Sequence, residues 1–309
     1  MLGRRELLMG LGAGTVLGHA ATATGAPDRR AQLGAQLDGL EVRELREGGR
    51  LFLLVVRRGL RPPARVPLLV LLHGLGETGD EQMGAWAWLE RYGLASAWQR
   101  LERPPIVRTS KRGEWSDARL AEVNAELAAR PFRGLAMVCP FMPKLAPHEM
   151  PAYAAWLERV VARARAEVPI ISPEVDSTYL CGCSLGAYVS LEVMARTPHV
   201  FGAWGGVQTA IGAWAAPGYA KRLSTAFGGK ARPLFVETSS LDHYRKSSEA
   251  LHAAFEREGM PATKRVSTGP HDQPWLREVG TLEALLWFDR LSYARAARAA
   301  DAGAPTPPG

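Results

Sequence analysis

The sequence predicts one α/β domain with a mostly parallel central sheet of about eight strands and helices on both of its faces. Apolar runs of strand length alternate along the chain with longer stretches of helical periodicity. The run at 67–72, Pro-Leu-Leu-Val-Leu-Leu, is typical of a central strand buried on both sides. Hydrophobic residues make up 47% of the 309 positions, which is enough for a sizeable core.

The strands and helices are predicted from these runs in chain order. Residues 40–45 and 51–57 alternate and are joined by Glu-Gly-Gly, which predicts an antiparallel hairpin. Ser116 is a good N-cap and predicts the start of a helix. The other strands are expected at 67–72, 134–139, 177–182, 201–207, 233–238 and 263–267, and the helices at 81–101, 116–129, 150–166, 185–196, 244–259 and 276–299.

The two ends of the chain differ in composition from the predicted domain at 27–299. Residues 1–26 combine a basic start, an apolar Gly/Ala-rich stretch and small residues, the layout of an export signal. The pair Arg4-Arg5 fits a twin-arginine signal, or is a chance pair in an ordinary signal peptide. We therefore expect a periplasmic or extracellular protein without a stable membrane anchor after cleavage. Residues 300–309 are rich in Ala, Pro and Gly and predict a disordered tail.

The net charge of +7 comes mainly from Arg, since only six of the 38 basic residues are Lys. The arginines are scattered, which favours a solvated basic surface over a nucleic-acid site. The three cysteines, Cys139, Cys181 and Cys183, are interpreted as buried thiols, with a disulfide as the alternative. No metal motif or phosphate-binding loop is present, so no metal and no cofactor are expected. The oligomeric state stays open.

Ser184 is the predicted nucleophile of a serine hydrolase. It lies in Gly-Cys-Ser-Leu-Gly, between the predicted strand at 177–182 and a helical pattern. A serine on such a strand-to-helix turn has strained backbone angles and needs small neighbours. The helix that starts there favours developing negative charge. The context therefore makes a common pentapeptide informative.

A serine hydroxyl needs a base, and seven histidines are candidates. His271 follows the last predicted strand in a Gly/Pro loop and has the chain order nucleophile, acid, base of this geometry. Asp242, in the loop after the strand at 233–238, is the predicted acid, with an N-cap role as the alternative. Glu237 is a weaker candidate because it lies within that strand.

The backbone N–H groups of Leu75 and Leu185 are the predicted donors of an oxyanion hole. Leu185 follows the nucleophile, and Leu75 lies in His73-Gly74-Leu75-Gly76 after the strand at 67–72. Glycines allow a tight turn there. His73 is interpreted as a structural residue.

Four sequence blocks together resemble the esterase D-like, or putative esterase, branch of the α/β-hydrolases. They are HGLGETG, GCSLGAY, the Asp242 loop with SEALHAAFEREG, and GPHDQPW, and the resemblance covers nearly all of 40–295. It departs from the branch at Cys183 and at Gly-Pro before His271, where two glycines are commoner. The resemblance implies the α/β-hydrolase fold and an exported serine esterase that acts on a small-molecule or polysaccharide-linked ester. Members of the branch include carboxylesterases, feruloyl and acetylxylan esterases, thioester hydrolases and mycolyltransferases. The alternatives are an acyltransferase with the same triad and a non-catalytic binding protein on this fold.

The substrate pocket is less well defined by the sequence. Trp275, Trp86 and Trp115 either flank the pocket or pack in the core or a lid. An aromatic wall would suit a cinnamoyl-type acyl group. The segments 103–115 and 144–151 have few apolar residues and either cover the site or are ordinary surface loops.

Overall fold

The structure is a computed structural model that describes residues 29–61 and 65–303. The predicted export signal at 1–26 lies outside the described residues, as do residues 304–309 of the predicted tail. The chain divides into a short unit that ends at Gly34 and a large unit that begins at Ala35. The described part of the short unit contains helix α1 (Arg29–Leu33). The large unit contains the sheet and the site.

The central sheet has eight strands in the spatial order β1-β2-β4-β3-β5-β6-β7-β8. As predicted, β1 and β2 form an antiparallel hairpin, and β2 also pairs antiparallel with β4. All other neighbours are parallel. The strands are β1 (Leu40–Glu47), β2 (Arg50–Arg57), β3 (Leu68–Leu72), β4 (Ala136–Pro140), β5 (Thr178–Cys183), β6 (Ala203–Val207), β7 (Leu234–Leu241) and β8 (Ala262–Pro270).

Helices cover both faces of this sheet. On one face, α5 to α8 pack onto Leu68, Val70 and Leu180 in a continuous apolar core. On the other, Phe288 stacks on Tyr179 of β5. The helices are α2 (Glu81–Glu90), α3 (Leu94–Glu102), α4 (Asp117–Ala129), α5 (Met150–Glu167), α6 (Leu185–Arg196), α7 (Ala216–Phe227), α8 (Arg245–Arg257), the short turn α9 (Gln273–Trp275) and α10 (Thr281–Gly303).

The helices differ from the predictions at three places. The helix expected at 81–101 is two helices, because Gly93 has φ +75°, a left-handed conformation that ends one and begins the other. Helix α7 was not predicted, since its first turn contains Pro217 and Gly218. Helix α10 continues to Gly303, past the predicted tail boundary at 300, because its Ala- and Arg-rich sequence has high helix propensity.

The three cysteines are buried and free, as expected from the sequence. Burial raises the pKa of the Cys139 and Cys181 thiols, which keeps both protonated. Within the described residues, the helices are all too short or too polar to cross a membrane.

Candidate active site

Ser184 lies at the sharp turn between β5 and α6, with φ +55° and ψ −117°. Its N–H donates to Val207 O on β6, and its carbonyl accepts the N–H of Ala210. Both flanking glycines are required by space. A Cβ on Gly182 would lie 2.2 Å from Gly186 O, and one on Gly186 would lie 2.4 Å from His73 O. The turn therefore holds a strained serine, as predicted, with its side chain half-buried.

The structure brings Ser184, His271 and Asp242 together at the carboxyl ends of the parallel strands. The His271 Nε2 atom lies 3.0 Å from Ser184 Oγ. Its Nδ1 atom lies 2.9 Å from Asp242 Oδ1. An ionised carboxylate only accepts hydrogen bonds, so Nδ1 carries the proton and Nε2 offers a lone pair to the serine hydroxyl. This is the arrangement that general-base activation of a serine needs.

Asp242 is 6% exposed and is surrounded by donors. Besides His271, the Tyr244 N–H donates to Oδ1 at 2.9 Å and the Thr238 hydroxyl to Oδ2 at 2.7 Å. Burial acts to raise the pKa of Asp242, but the bonds from His271, Tyr244 and Thr238 outweigh it and lower that pKa. Asp242 is therefore ionised. Thr238 supports it through a hydrogen bond that no sequence motif predicts.

The loop after β3 approaches Ser184 closely, since a Cβ built on Gly74 would lie 3.8 Å from Ser184 Cβ. The Gly74 N–H already donates to Tyr92 Oη at 2.9 Å. Leu75 and Leu185 each begin a helical segment, where the first N–H groups have no intrahelical acceptor. Leu75 and Leu185, the predicted oxyanion donors, thus each have a backbone N–H without an intrahelical acceptor.

Tyr92 and Glu77 hold this loop from behind. The Tyr92 hydroxyl accepts from Gly74 and donates to Glu77 Oε2 at 2.5 Å, and both side chains are buried. Arg91 lies 3.4 Å from the other carboxylate oxygen of Glu77. Glu77 was visible in the HGLGETG block, but Tyr92 is 15 residues away and has no local sequence signal.

His73 has the structural role expected of it. The Met142 N–H donates to Nε2 at 2.9 Å, so Nδ1 carries the proton and donates to Gly74 O at 2.9 Å. Burial lowers the pKa of His73 to about 4. Its ring is thus neutral, with both nitrogens engaged by backbone groups.

His243, which was not among the predicted site residues, also borders the site. The His243 ring centroid lies 4.5 Å from that of His271 and 4.3 Å from that of Tyr244. His243 Nδ1 is 4.0 Å from Asp242 Oδ1, and the side chain is 63% exposed. His243 therefore forms the solvent side of the Asp242–His271 pair.

The three tryptophans predicted to border the pocket are all in packed positions. Trp275 is fully buried, donates to Ser267 Oγ at 2.8 Å and fits against Gly269 and Gly280. Trp86 and Trp115 are 1% and 3% exposed. Each also donates its indole N–H, to Glu44 and to the Glu278 carbonyl respectively. This geometry corresponds to the core-packing alternative, because a buried ring has no surface to offer a substrate.

The irregular segment 103–115 lies beside the loop that carries His271. Arg112 Nη2 is 2.9 Å from Asp272 Oδ2, next to the predicted base. The Glu278 carboxylate accepts from the Thr109 N–H and hydroxyl and pairs with Arg100. The segment is therefore tied to the His271 side of the site through residues 272 and 278. By contrast, most of 144–151 belongs to a short helical turn and the start of α5.

Three exposed apolar side chains follow strands whose carboxyl ends form this edge of the sheet. They are Leu75 after β3, Trp214 after β6 and Leu241 at the end of β7, at 42%, 74% and 72% exposure. The segment that carries Trp214 is linked to the nucleophile through the Ala210–Ser184 hydrogen bond. Trp214 is the exposed tryptophan of this edge, and it was not among the residues predicted to flank the pocket. Exposed apolar side chains at the edge of the sheet that carries Ser184 are candidates for an apolar binding surface.

Comparison with solved structures shows the α/β-hydrolase fold. A ferulic acid esterase aligns with a TM-score of 0.56 at 16% identity, over 82% of this chain and 98% of the other. An S-formylglutathione hydrolase (FrmB) from Staphylococcus aureus has a TM-score of 0.56 at 12% identity, over 81% and 99%. The feruloyl esterase module of Clostridium thermocellum, as an S954A mutant with sinapinate, reaches 0.58 at 12%, over 91% and 96%.

No protein-family model matches the sequence, and no curated protein matches it either. At these identities the structural likeness establishes the fold, and the chemistry follows from the residues of the site.

Proposed function

We propose that the protein is a serine hydrolase that cleaves carboxylic esters through an acyl-enzyme on Ser184. One observation carries this proposal: Ser184 Oγ, the His271 ring and the Asp242 carboxylate form a continuous hydrogen-bonded chain with distances of 3.0 and 2.9 Å. The strained serine turn also supports the proposal, as do the N–H groups of Leu75 and Leu185, which have no intrahelical acceptor.

In the first half-reaction, His271 Nε2 accepts the Ser184 hydroxyl proton as Oγ attacks the ester carbonyl. The N–H groups of Leu75 and Leu185 donate to the oxygen that becomes negative, and ionised Asp242 stabilises the imidazolium. The proton then passes from Nε2 to the departing alkoxide, which leaves as an alcohol. In the second half-reaction, His271 takes a proton from water, the hydroxide attacks the acyl carbonyl, and Ser184 Oγ regains its proton.

The direct test is turnover of 4-nitrophenyl acetate by the wild type and by Ser184→Ala and His271→Ala. We expect both variants to lose activity to the uncatalysed background, because each removes a group that the reaction cannot replace. A fluorophosphonate probe should label the wild type and not Ser184→Ala. Full activity in either variant would contradict the proposal, and absence of labelling in the wild type would favour a non-catalytic binding protein.

We also propose that the ester carries an apolar or aromatic group and that the enzyme acts after export. Exposed Leu75, Trp214 and Leu241 support the first statement, and the signal-like sequence at 1–26 supports the second. Trp214→Ala should raise KM for methyl ferulate more than KM for a short acetyl ester, since only the aromatic ester needs an aromatic contact. Equal changes for both esters would remove Trp214 from substrate recognition. An added alcohol acceptor that yields a new ester would instead indicate acyl transfer.

A further inference from the structure

The residues around the predicted acid and base include a group with metal-ligand chemistry. Asp242, His243 and His271 each offer one ligand atom, and these three atoms lie within 4.8 Å of one another. Imidazole nitrogen and carboxylate oxygen are ligands that zinc accepts. We propose that Asp242, His243 and His271 form an inhibitory zinc site.

The distances are close to those that zinc requires. Four-coordinate zinc, with bonds of about 2.0–2.2 Å, separates its ligand atoms by about 3.3 Å. The Asp242 Oδ1 atom is 2.9 Å from His271 Nδ1 and 4.0 Å from His243 Nδ1, so these separations lie on either side of that value. Zinc binding therefore widens the Asp242–His271 contact by about 0.4 Å and draws in His243, whose side chain is 63% exposed. Water completes the fourth position.

The burial of the three residues gives the ion a way in. Asp242 is buried, His271 is partly buried and His243 is exposed, so the ligand set opens to solvent on one side. Thr238 and the Tyr244 N–H already orient the carboxylate of Asp242. Such outer hydrogen bonds are typical supports of a metal ligand. His243 is the member of the set for which the acyl-transfer mechanism has no use.

Zinc at this site stops the reaction by reversing the tautomer of His271. A neutral imidazole has one N–H, which in the unbound site is at Nδ1 and donates to Asp242. Zinc takes the Nδ1 lone pair, so the proton must leave Nδ1 and, through solvent, bind Nε2. The Nε2 atom then has no lone pair to accept the Ser184 proton. No net proton, electron or covalent bond is gained or lost by the ring.

The binding arm of the test is independent of the proposed function. Calorimetric titration of ZnCl₂ into Ser184→Ala should show one zinc per chain. Adding His243→Ala should weaken binding by at least about tenfold, because loss of a direct ligand should cost no less than loss of an outer-shell partner. The matched control is His199→Ala, since His199 is a 62% exposed histidine 3.0 Å from the Glu158 carboxylate. Zinc affinity that is unchanged by His243→Ala overturns the site.

The inhibition arm rests on the proposed ester hydrolysis. ZnCl₂ should inhibit 4-nitrophenyl acetate turnover by the wild type and by His199→Ala, with recovery on chelation, and at least about tenfold more zinc should be needed for His243→Ala. Without zinc, His243→Ala should keep the wild-type rate, and Mg²⁺, which prefers oxygen ligands, should not inhibit. Should His243→Ala not fold, His243→Asn replaces it. Zinc binding without inhibition overturns the inhibitory role, whereas an inactive wild type contradicts the proposed function and leaves the binding result standing.

Discussion

Strand β7 presents two buried carboxyl groups that differ in their hydrogen bonds: Glu237 within the strand and Asp242 just beyond its end. Neither oxygen of Glu237 has a hydrogen-bond partner within the described part of the chain. Burial, with the nearby Glu283, raises the pKa of Glu237 well above its usual value. Asp242, with three donors, has a lowered pKa. Burial without hydrogen-bond donors thus favours the neutral carboxyl of Glu237, whereas three donors keep the likewise buried Asp242 charged.

Among variants of these buried carboxyl groups, the largest effect is expected at Asp242. Asp242→Asn should lower kcat by about 10⁴-fold, because an amide stabilises the wrong His271 tautomer and cannot balance the imidazolium. The measurement is steady-state hydrolysis of 4-nitrophenyl acetate. Glu237→Gln is the matched control and should keep the wild-type kcat. Equal losses in the two variants would mean that both carboxyl groups serve the reaction.

A third buried carboxylate extends the comparison away from the site. Glu192 on α6 accepts from Tyr219 Oη at 2.7 Å and from Arg222 at 2.8 and 3.0 Å, and pairs with Arg196. Burial acts to raise the pKa of Glu192, but these donors outweigh it and lower the pKa to about 2. Like Asp242, Glu192 therefore illustrates a buried acid that its donors keep ionised.

Glu192→Gln should lower the free energy of unfolding by about 1.5–3 kcal/mol at pH 7, the range expected for hydrogen bonds to a charged group. A depressed folded pKa stabilises above the unfolded value of 4.5 and loses that contribution as pH falls towards about 2. The difference between variant and wild type should therefore shrink over this window in urea denaturation. A difference that is constant with pH would contradict the assigned charge.

The smallest expected effect has the opposite sign and concerns Glu237. Glu237→Met should raise the free energy of unfolding by about 1 kcal/mol at pH 7, because it removes a buried polar group without partners. A folded pKa raised above the unfolded value of 4.5 means that wild-type stability falls as pH rises from that value. The gain from Met should thus grow with pH. A destabilised variant would indicate that Glu237 has a partner in solution.

The residues of the candidate site could be selected from one local turn and from the order of residues along the chain. The Gly-Cys-Ser-Leu-Gly turn between a strand and a helix identifies Ser184, and chain order then selects Asp242 and His271, which the structure brings within hydrogen-bond distance. The strands were predictable for a similar reason. Each is a short apolar run between turn residues, and all eight lie within a few residues of their predicted bounds.

The substrate side was not predictable, because it depends on contacts between distant segments. Trp275 is buried only because Gly269 and Gly280 leave room for its ring. Trp214 is 74% exposed although Ile211 and Ala216, on either side of it in the chain, are buried in the core. The Tyr92 hydroxyl contacts the loop after β3 through a hydrogen bond from the Gly74 N–H, 18 residues away in the chain. No pattern of neighbouring residues encodes these placements.

Leu75, Trp214 and Leu241 are exposed residues in or after three different strands, whereas backbone atoms lie close against the two glycines that flank Ser184. Substitutions at Leu75, Trp214 and Leu241 should therefore change stability little, whereas substitutions at Gly182 and Gly186 should disrupt the turn. Replacing the Leu75 side chain leaves its backbone N–H in place, so even that position is free to change. If the proposed function holds, a saturation library at 75, 214 and 241 should change the ester preference of the enzyme and leave the Ser184, His271 and Asp242 hydrogen bonds in place.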